Sequence, residues 1–258
     1  MFILPKTSNE FVRALEHQVA EQGAKLLHER ITLNKLQVPP FDPQAIADAL
    51  DGLDPARVDG VAVFGPETPA VRDAVVRARA RGIGVAALVS DLPSSGRDHF
   101  VGIDNVAAGR TAAQLMGRFA KRSGRVLVIT GSRLARDHLE RRKGFDTVMA
   151  ERFSDLSVVA SVEGRDDPDL IREMLPGVFE AYPDLCGIYS SAAGNPGLIS
   201  FLSESCAHRV LVVIAHELTP SSRAAREDGV VDAIISQDTG HLVRAAIRRL
   251  KATTDRLP

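Results

Sequence analysis

The sequence predicts an α/β protein made of two doubly wound lobes, each built on a parallel sheet. Three observations carry this. Short apolar runs such as Val126–Leu127–Val128–Ile129 alternate with longer helix-favouring segments from one end of the chain to the other. Apolar runs bounded by turn residues read as strands buried on both faces, and their regular alternation with helices argues for parallel sheets with right-handed crossovers. About ten such strands are too many for the usual single sheet, so the chain is expected to divide near residue 104. Its 258 residues and 45% hydrophobic content are enough for two cores.

In chain order, Phe2–Leu4 reads as a strand. Ser8 or Asn9 can cap the next helix, whose apolar positions Phe11, Leu15 and Val19 share one face. Ile31–Leu36 alternates like a second strand. After Pro39–Pro40, Asp42–Pro43 opens a helix in the favoured order of cap and then proline. Val58–Phe64 is a strand, Glu67–Arg81 a helix ended by Gly82, and Ile83–Val89 a buried strand. Phe100–Ile103 is short, and Asp104–Asn105 leads into a helix running to Arg122.

The second half repeats the pattern. Strands are expected at Val126–Ile129, Leu156–Val162, Leu185–Ser190, Val210–Ile214 and Val231–Ile235. Helices are expected at Arg136–Phe153, from Pro168 to about Tyr182, and at Asn195–Ser205, Pro220–Asp228 and Thr239–Lys251. Gly144 reads as a tight packing point on its helix.

Composition and motifs exclude several functions. Formal net charge is −1, from 32 basic and 33 acidic residues, which leaves no general footprint for nucleic acid. Cys186 and Cys206 form neither a CxxC pair nor a zinc spacing, so a reducing compartment or no redox role is expected. The first residues lack the basic start and long apolar run of a secretory signal, and no stretch is long enough to span a membrane. The abrupt start on a strand leads us to expect further chain before Met1. There is no GxSxG elbow and no phosphate-binding GxxxxGK[ST] loop. Gly82–Ile83–Gly84 precedes a strand rather than following one, so it is a turn and not a dinucleotide fingerprint. His216–Glu217 begins like HExxH but lacks the second His. No enzyme, metal site or cofactor is expected.

Polar residues do collect after the apolar runs: Asn9, Asp91, Asp104, Asn105, Asn195, Glu217, Gln237 and Asp238. Ligands of open parallel sheets sit at the carboxyl ends of strands. Taken singly, each of these residues is a cap or turn residue by default, and Arg141, beside Arg136 and Arg142, is a solvated arginine by default. Taken together they suit a small polyhydroxy molecule, because hydrogen bonds to charged groups are the strong ones.

The same residues carry a resemblance. Asn9–Glu10–Phe11, Val58–Asp59–Gly60–Val61, Ile103–Asp104–Asn105 with Ala108–Gly109, Arg141 to Phe145, Val212 to Glu217 and Ser236–Gln237–Asp238 occur in the order of six motifs. The chain resembles the effector-binding core of the lactose-repressor (LacI) family, which shares the type I periplasmic binding protein fold. The resemblance implies one lobe of residues 1–103 plus 239–258, another of 104–238, and a ligand cleft between them. It implies ligand contacts from Asn9, Phe11, Asp104, Arg141, Asn195, Glu217 and Gln237. Ala192 to Gly197 and Ala215–His216–Glu217–Leu218 depart from the family's pattern.

The implied protein is the sugar- or polyol-sensing domain of a DNA-binding regulator, a cytoplasmic homodimer. It would reach operator DNA only through an N-terminal headpiece that this chain does not contain. The alternative is the solute-binding protein of a sugar ABC transporter. Arg141 set against Asp104 and Glu217 gives a formal site charge of 1 − 2 = −1, which favours a neutral ligand over an anionic one. Phe11 would cover the apolar face of a sugar ring.

Overall fold

The computed structural model describes residues 1–159, 161–205 and 207–255. Cys206, one of the two cysteines weighed above, lies outside them. The first part of the chain runs β1 (Phe2–Pro5), α1 (Glu10–Leu26), β2 (Lys35–Val38), α2 (Pro43–Asp51), β3 (Gly60–Val63), α3 (Pro69–Ala80), β4 (Gly84–Leu88) and β5 (His99–Val101). It continues with α4 (Asn105–Phe119), β6 (Gly124–Thr130), α5 (Arg136–Arg152), β7 (Leu156–Val158), β8 (Val162–Glu163) and α6 (Pro168–Ala181). The last part is β9 (Leu185–Ser190), α7 (Asn195–Ser205), β10 (Val212–His216), α8 (Pro220–Glu227), β11 (Ala233–Ile235) and α9 (Thr239–Thr254).

The elements fall into two compact units. One holds Met1–Ile103, Leu134–Arg136 and Asp238–Pro258, and the other Asp104–Arg133 and Asp137–Gln237. Their sheets have strand orders β2-β1-β3-β4-β5 and β11-β10-β9-β6-β7, with β8 also paired to β6. Every strand pair is parallel. The α/β class with two parallel-sheet lobes is therefore the observed architecture.

Local chemistry explains the helix starts. Side chains of Asn9, Asp42, Thr68, Asp104, Asp167, Thr219 and Asp238 accept from the first-turn amides of their helices. Proline follows the cap in α2, α3, α6 and α8, where its missing N–H costs nothing.

Strand alternation then sorts the cores. In the first unit Ile3, Val61, Val63 and Val85 pack with α2 and α3, while Phe2, Leu4, Ala62 and Ala86 pack with Phe11 and Leu15 of α1 and Leu242, Val243 and Leu250 of α9. In the second unit Leu127 and Ile129 face α6 and α7, and Val126 and Val128 face Ala112, Met116, Phe145 and Val148 of α4 and α5.

Several strand boundaries differ from expectation, among them the following three. Ile31 does not open β2, because its N–H closes the end of α1 on the Leu26 carbonyl at 3.3 Å. The edge strand starts four residues later, at Lys35, in register with Phe2. Val210 lies in a short 3-10 turn, and β10 pairs with β9 only from Val212. The expected strand Leu156–Val162 is two short strands, each pairing separately with β6.

A buried polar cluster at the strand ends of the second unit

Four neighbouring strands of the second sheet, β11, β10, β9 and β6, are parallel and so end on the same edge. Their last residues and following loops supply Thr130 to Ser132, Ser190 and Ser191, His216 and Glu217, and Gln237. The fifth contributor is α5. Its buried residues are Asp137, His138, Arg141, Gly144, Phe145, Val148 and Met149. That is one helical face, apolar over the sheet and charged where it passes the sheet edge.

Close helix packing sets the position of Arg141. A Cβ on Gly109 of α4 would lie 1.9 Å from the Arg141 carbonyl oxygen, and one on Gly144 of α5 would lie 2.1 Å from the Val106 carbonyl oxygen. Only glycine at both places lets α4 and α5 come this near. The crossing lays Asn105, the first residue of α4, against Arg141.

Arg141 is 2% exposed. Its Nε donates to Asn105 Oδ1 at 2.9 Å and its Nη1 to the Ser191 carbonyl at 2.9 Å. Its Nη2 lies 3.5 Å from Glu217 Oε1 and 4.0 Å from Asp137 Oδ2. The default reading of a solvated arginine therefore fails at this position. Glu217 sits in the left-handed region at φ +68°, an uncommon conformation for a residue with a side chain. Its amide bonds the Ile235 carbonyl. Its carboxylate accepts from Gln237 N at 3.2 Å and Gln237 Nε2 at 2.8 Å.

Beneath Glu217, His216 is fully buried and shares a 2.8 Å hydrogen bond between its Nε2 and the Tyr189 hydroxyl. Tyr189 stacks on Phe145 with ring centroids 4.5 Å apart. Asn195 donates from Nδ2 to the His216 carbonyl at 2.9 Å and accepts from Ser190 Oγ at 2.7 Å. Nearby, Asp166 accepts from the Ala193 amide at 3.1 Å, and the Ser132 amide donates to His138 Nδ1 at 3.2 Å.

Burial dominates the electrostatics. It raises the Glu217 carboxyl above its usual pKa of 4.5, against the pull of Arg141 and the Gln237 hydrogen bonds. It raises Asp166 above 3.8, against His138 and the Ala193 amide. It lowers His216 well below 6.5, helped by the positive charge of Arg141. It also raises the Tyr189 phenol, so that group stays neutral. The result is one buried cation ringed by fixed acceptors and amides, an arrangement suited to recognition. Among the described residues no group of three or more His, Cys, Asp or Glu is placed to hold a metal ion.

The structure brings four of the expected site residues together: Arg141, Asn195, Glu217 and Gln237, all buried in the second unit. Asp104 belongs to the same unit but not to the cluster. It is exposed, and its carboxylate caps α4 by accepting from Ala107 N at 2.9 Å. Its neighbour Asn105 takes the place beside Arg141. Asn9 and Phe11 lie in the first unit. Asn9 caps α1 through the Phe11 amide at 2.8 Å, and Phe11 is a core residue, 7% exposed.

Asp137, His138, Asp166 and Ser191 were not among the expected residues. The signal for the first two was present: the apolar face of α5 at Phe145, Val148 and Met149, continued backwards at helical spacing, passes through Arg141, His138 and Asp137.

Comparison with known proteins agrees with the fold. The sequence matches the periplasmic binding protein domain family over residues 1–255. No curated protein sequence matches it significantly. Among solved structures, it is similar to an ABC transporter solute-binding protein from Burkholderia graminis in complex with D-arabinose. That match has 25% identity and a TM-score of 0.89, covering 98% of this chain and 88% of the other. A glucose-galactose binding protein from Geobacillus stearothermophilus aligns at 21% identity and TM-score 0.88, covering 100% and 91%. An ABC transporter periplasmic solute-binding protein from Actinobacillus succinogenes with bound D-allose aligns at 19% and 0.87, covering 100% and 91%.

These findings correct the expected cytoplasmic location: the matching family is one of periplasmic binding proteins, and the similar structures are transporter receptors. They also turn the balance from a regulator of the LacI kind toward the transport alternative. With its two parallel sheets and its polar cluster at one sheet edge, the chain belongs to the periplasmic binding protein domain family.

Proposed function

We propose that this chain is a solute receptor, not an enzyme, that binds a neutral sugar or polyol for uptake by an ABC transporter. The observation that carries the reading is the burial of Arg141 against Glu217, Asn105 and the Ser191 carbonyl at the carboxyl ends of the second sheet. Arg141, Asn195, Glu217 and Gln237 are the ligand-binding residues we assign in this unit. The sugar-bound Burkholderia structure, at 25% identity over 98% of this chain, supports the ligand class. With the transport reading, the operator DNA and the dimer that accompanied the regulator reading are no longer required.

The charge of the cluster selects the ligand. Arg141 already has Glu217 and Asp137 within 4.0 Å, so an anionic ligand would meet two carboxylates around one cation. Three arginines outside the cluster are held in ion pairs of their own: Arg97 with Asp91, Arg133 with Glu163 at 2.7 Å, and Arg136 with Glu67 at 2.8 Å. Hydroxyls can both accept from Arg141 and donate to the carboxylates.

Thermal-shift screening tests the reading, since a ligand that binds only the folded state raises the melting temperature. Pentoses, hexoses and polyols should stabilise the protein. Stabilisation by sugar phosphates or sugar acids alone, with none from neutral sugars, would overturn it.

A further inference from the structure

Two buried amide side chains in the Arg141 cluster have their orientations fixed by their partners. The Nε of Arg141 can only donate, so the Asn105 atom facing it at 2.9 Å is the oxygen. The carboxylate of Glu217 accepts, so the Gln237 atom facing it at 2.8 Å is the nitrogen. Each amide then has one end left. Asn105 is 1% exposed and Gln237 5% exposed, and neither Asn105 Nδ2 nor Gln237 Oε1 has a hydrogen-bond partner. A buried donor or acceptor left unmatched is costly, and native proteins rarely leave one without a use.

The two free ends have opposite character. Asn105 Nδ2 must donate and Gln237 Oε1 must accept. A carboxylate or phosphate ester oxygen could satisfy the first but never the second, because it has no proton to give. A hydroxyl does both. The two amides flank one guanidinium, since Asn105 takes its Nε while Glu217, which holds Gln237, lies 3.5 Å from its Nη2.

We infer that Asn105 is a ligand-contacting, specificity-determining residue, whose Nδ2 donates to a ligand hydroxyl while Gln237 Oε1 accepts from a hydroxyl of the same ligand. The inference rests on the solute-receptor reading above and sharpens it. The ligand is selected by a hydroxyl at one defined position, and a sugar lacking it is rejected because the Asn105 donor is again unmatched. Sites built to bond a substrate hydroxyl discriminate strongly against its deoxy analogue for this reason.

The test uses Asn105→Asp, which is nearly isosteric. It keeps the acceptor for Arg141 and replaces the free donor with a second acceptor. The parent and the variant are titrated calorimetrically at pH 7.5 with the neutral sugar that best stabilises the parent, and with its series of monodeoxy forms. The parent should lose about tenfold or more in affinity for one deoxy form. The variant should bind the intact sugar about tenfold more weakly and no longer distinguish that deoxy form, a coupling between residue and hydroxyl.

Urea unfolding without sugar separates binding from structure. Asn105→Asp sets a third carboxylate beside Glu217 and Asp137 around one cation, so its ligand-free stability should fall, and the urea midpoint shows whether it is still folded under the binding conditions. If that variant does not fold, Asn105→Ala must show the same loss of deoxy discrimination. Parent-like affinity and parent-like discrimination in the variant would overturn the inference while leaving the receptor reading intact. A parent that binds no neutral sugar overturns both, and that outcome is visible before any variant is made.

Discussion

The Arg141 carbonyl oxygen lies 1.9 Å from where a Cβ on Gly109 would be, so the two backbones touch where any larger residue would separate them. Gly109→Ala should therefore destabilise the protein despite alanine's better helix propensity. Overpacking costs about 1–3 kcal/mol, against about 1 kcal/mol gained from propensity. Both groups at the contact are helix backbone, which yields little, so a net loss of about 2 kcal/mol in urea unfolding is expected. Gly177 on α6 is the control: a Cβ there meets nothing within 4 Å, and Gly177→Ala should stabilise by about 0.5–1 kcal/mol. Equal effects at the two positions would rule out the tight crossing.

Arg141→Ala should damage both folding and binding. Removing one partner of a buried ion pair costs about 3–5 kcal/mol, because the other charge is left uncompensated. Here that charge is Glu217, 3.5 Å away and held inside the protein. Adding Glu217→Gln should restore part of the stability, since a neutral amide no longer needs the cation. Sugar affinity should fall by more than ~1.5 kcal/mol in the single variant, the worth of a charge-assisted hydrogen bond. Denaturant titrations of the four proteins of this cycle, with calorimetry on those that fold, would check both parts.

His216 should make stability depend on pH. Burial holds the folded imidazole neutral, with its pKa well below 6.5, whereas the unfolded chain takes up a proton near 6.5. Below that pH the unfolded state binds more protons, so this residue lowers stability as pH falls toward the folded pKa. The slope is at most about 1.4 kcal/mol per pH unit. Glu217 and Asp166 act the other way. Their folded pKa values are raised, so each favours the folded state as pH falls from its raised value toward 4.5 and 3.8 respectively. Comparing the parent with His216→Phe at pH 7.5, 6.0 and 5.0 isolates the histidine. The variant should carry a constant offset of about 1 kcal/mol for the lost Tyr189 partner and a shallower fall with acid. Parallel pH curves would show that His216 takes no part.

Asp104 separates capping from binding. Its carboxylate serves the Ala107 amide and is exposed. Asp104→Ala should cost about 1 kcal/mol of stability, as for other caps, and leave sugar affinity unchanged. A loss of affinity without loss of stability would return Asp104 to the ligand.

The sequence showed the fold more clearly than the site, for reasons that differ by residue. Leu185–Ser190 and Asn195–Ser205 have the bounds expected, because an unbroken apolar run and a turn before a helix are local signals. Ile31 misled because alternation does not reveal that its N–H is claimed by Leu26. Arg141 was singled out by resemblance, but its burial was hidden. The buried face of α5 opens with Asp137, His138 and Arg141, charged or polar residues that hydropathy reads as a solvent face. Asn105 was visible only as one of several polar residues at strand ends, because its importance depends on how closely α4 and α5 cross.

The way α9 closes the first unit sets an order for folding during synthesis. Leu242, Val243, Ala246, Ile247 and Leu250 complete the core around Phe2, Leu4 and Leu15, so β1 and α1 wait for a helix on the far side of the second unit in sequence. The second unit is made of Asp104–Arg133 and Asp137–Gln237 and takes no part of α9. On the ribosome, where domains fold as their sequences emerge, the later unit can fold before the earlier one is finished. Until α9 emerges, the faces of β3, β4 and β5 that it covers stay open to solvent.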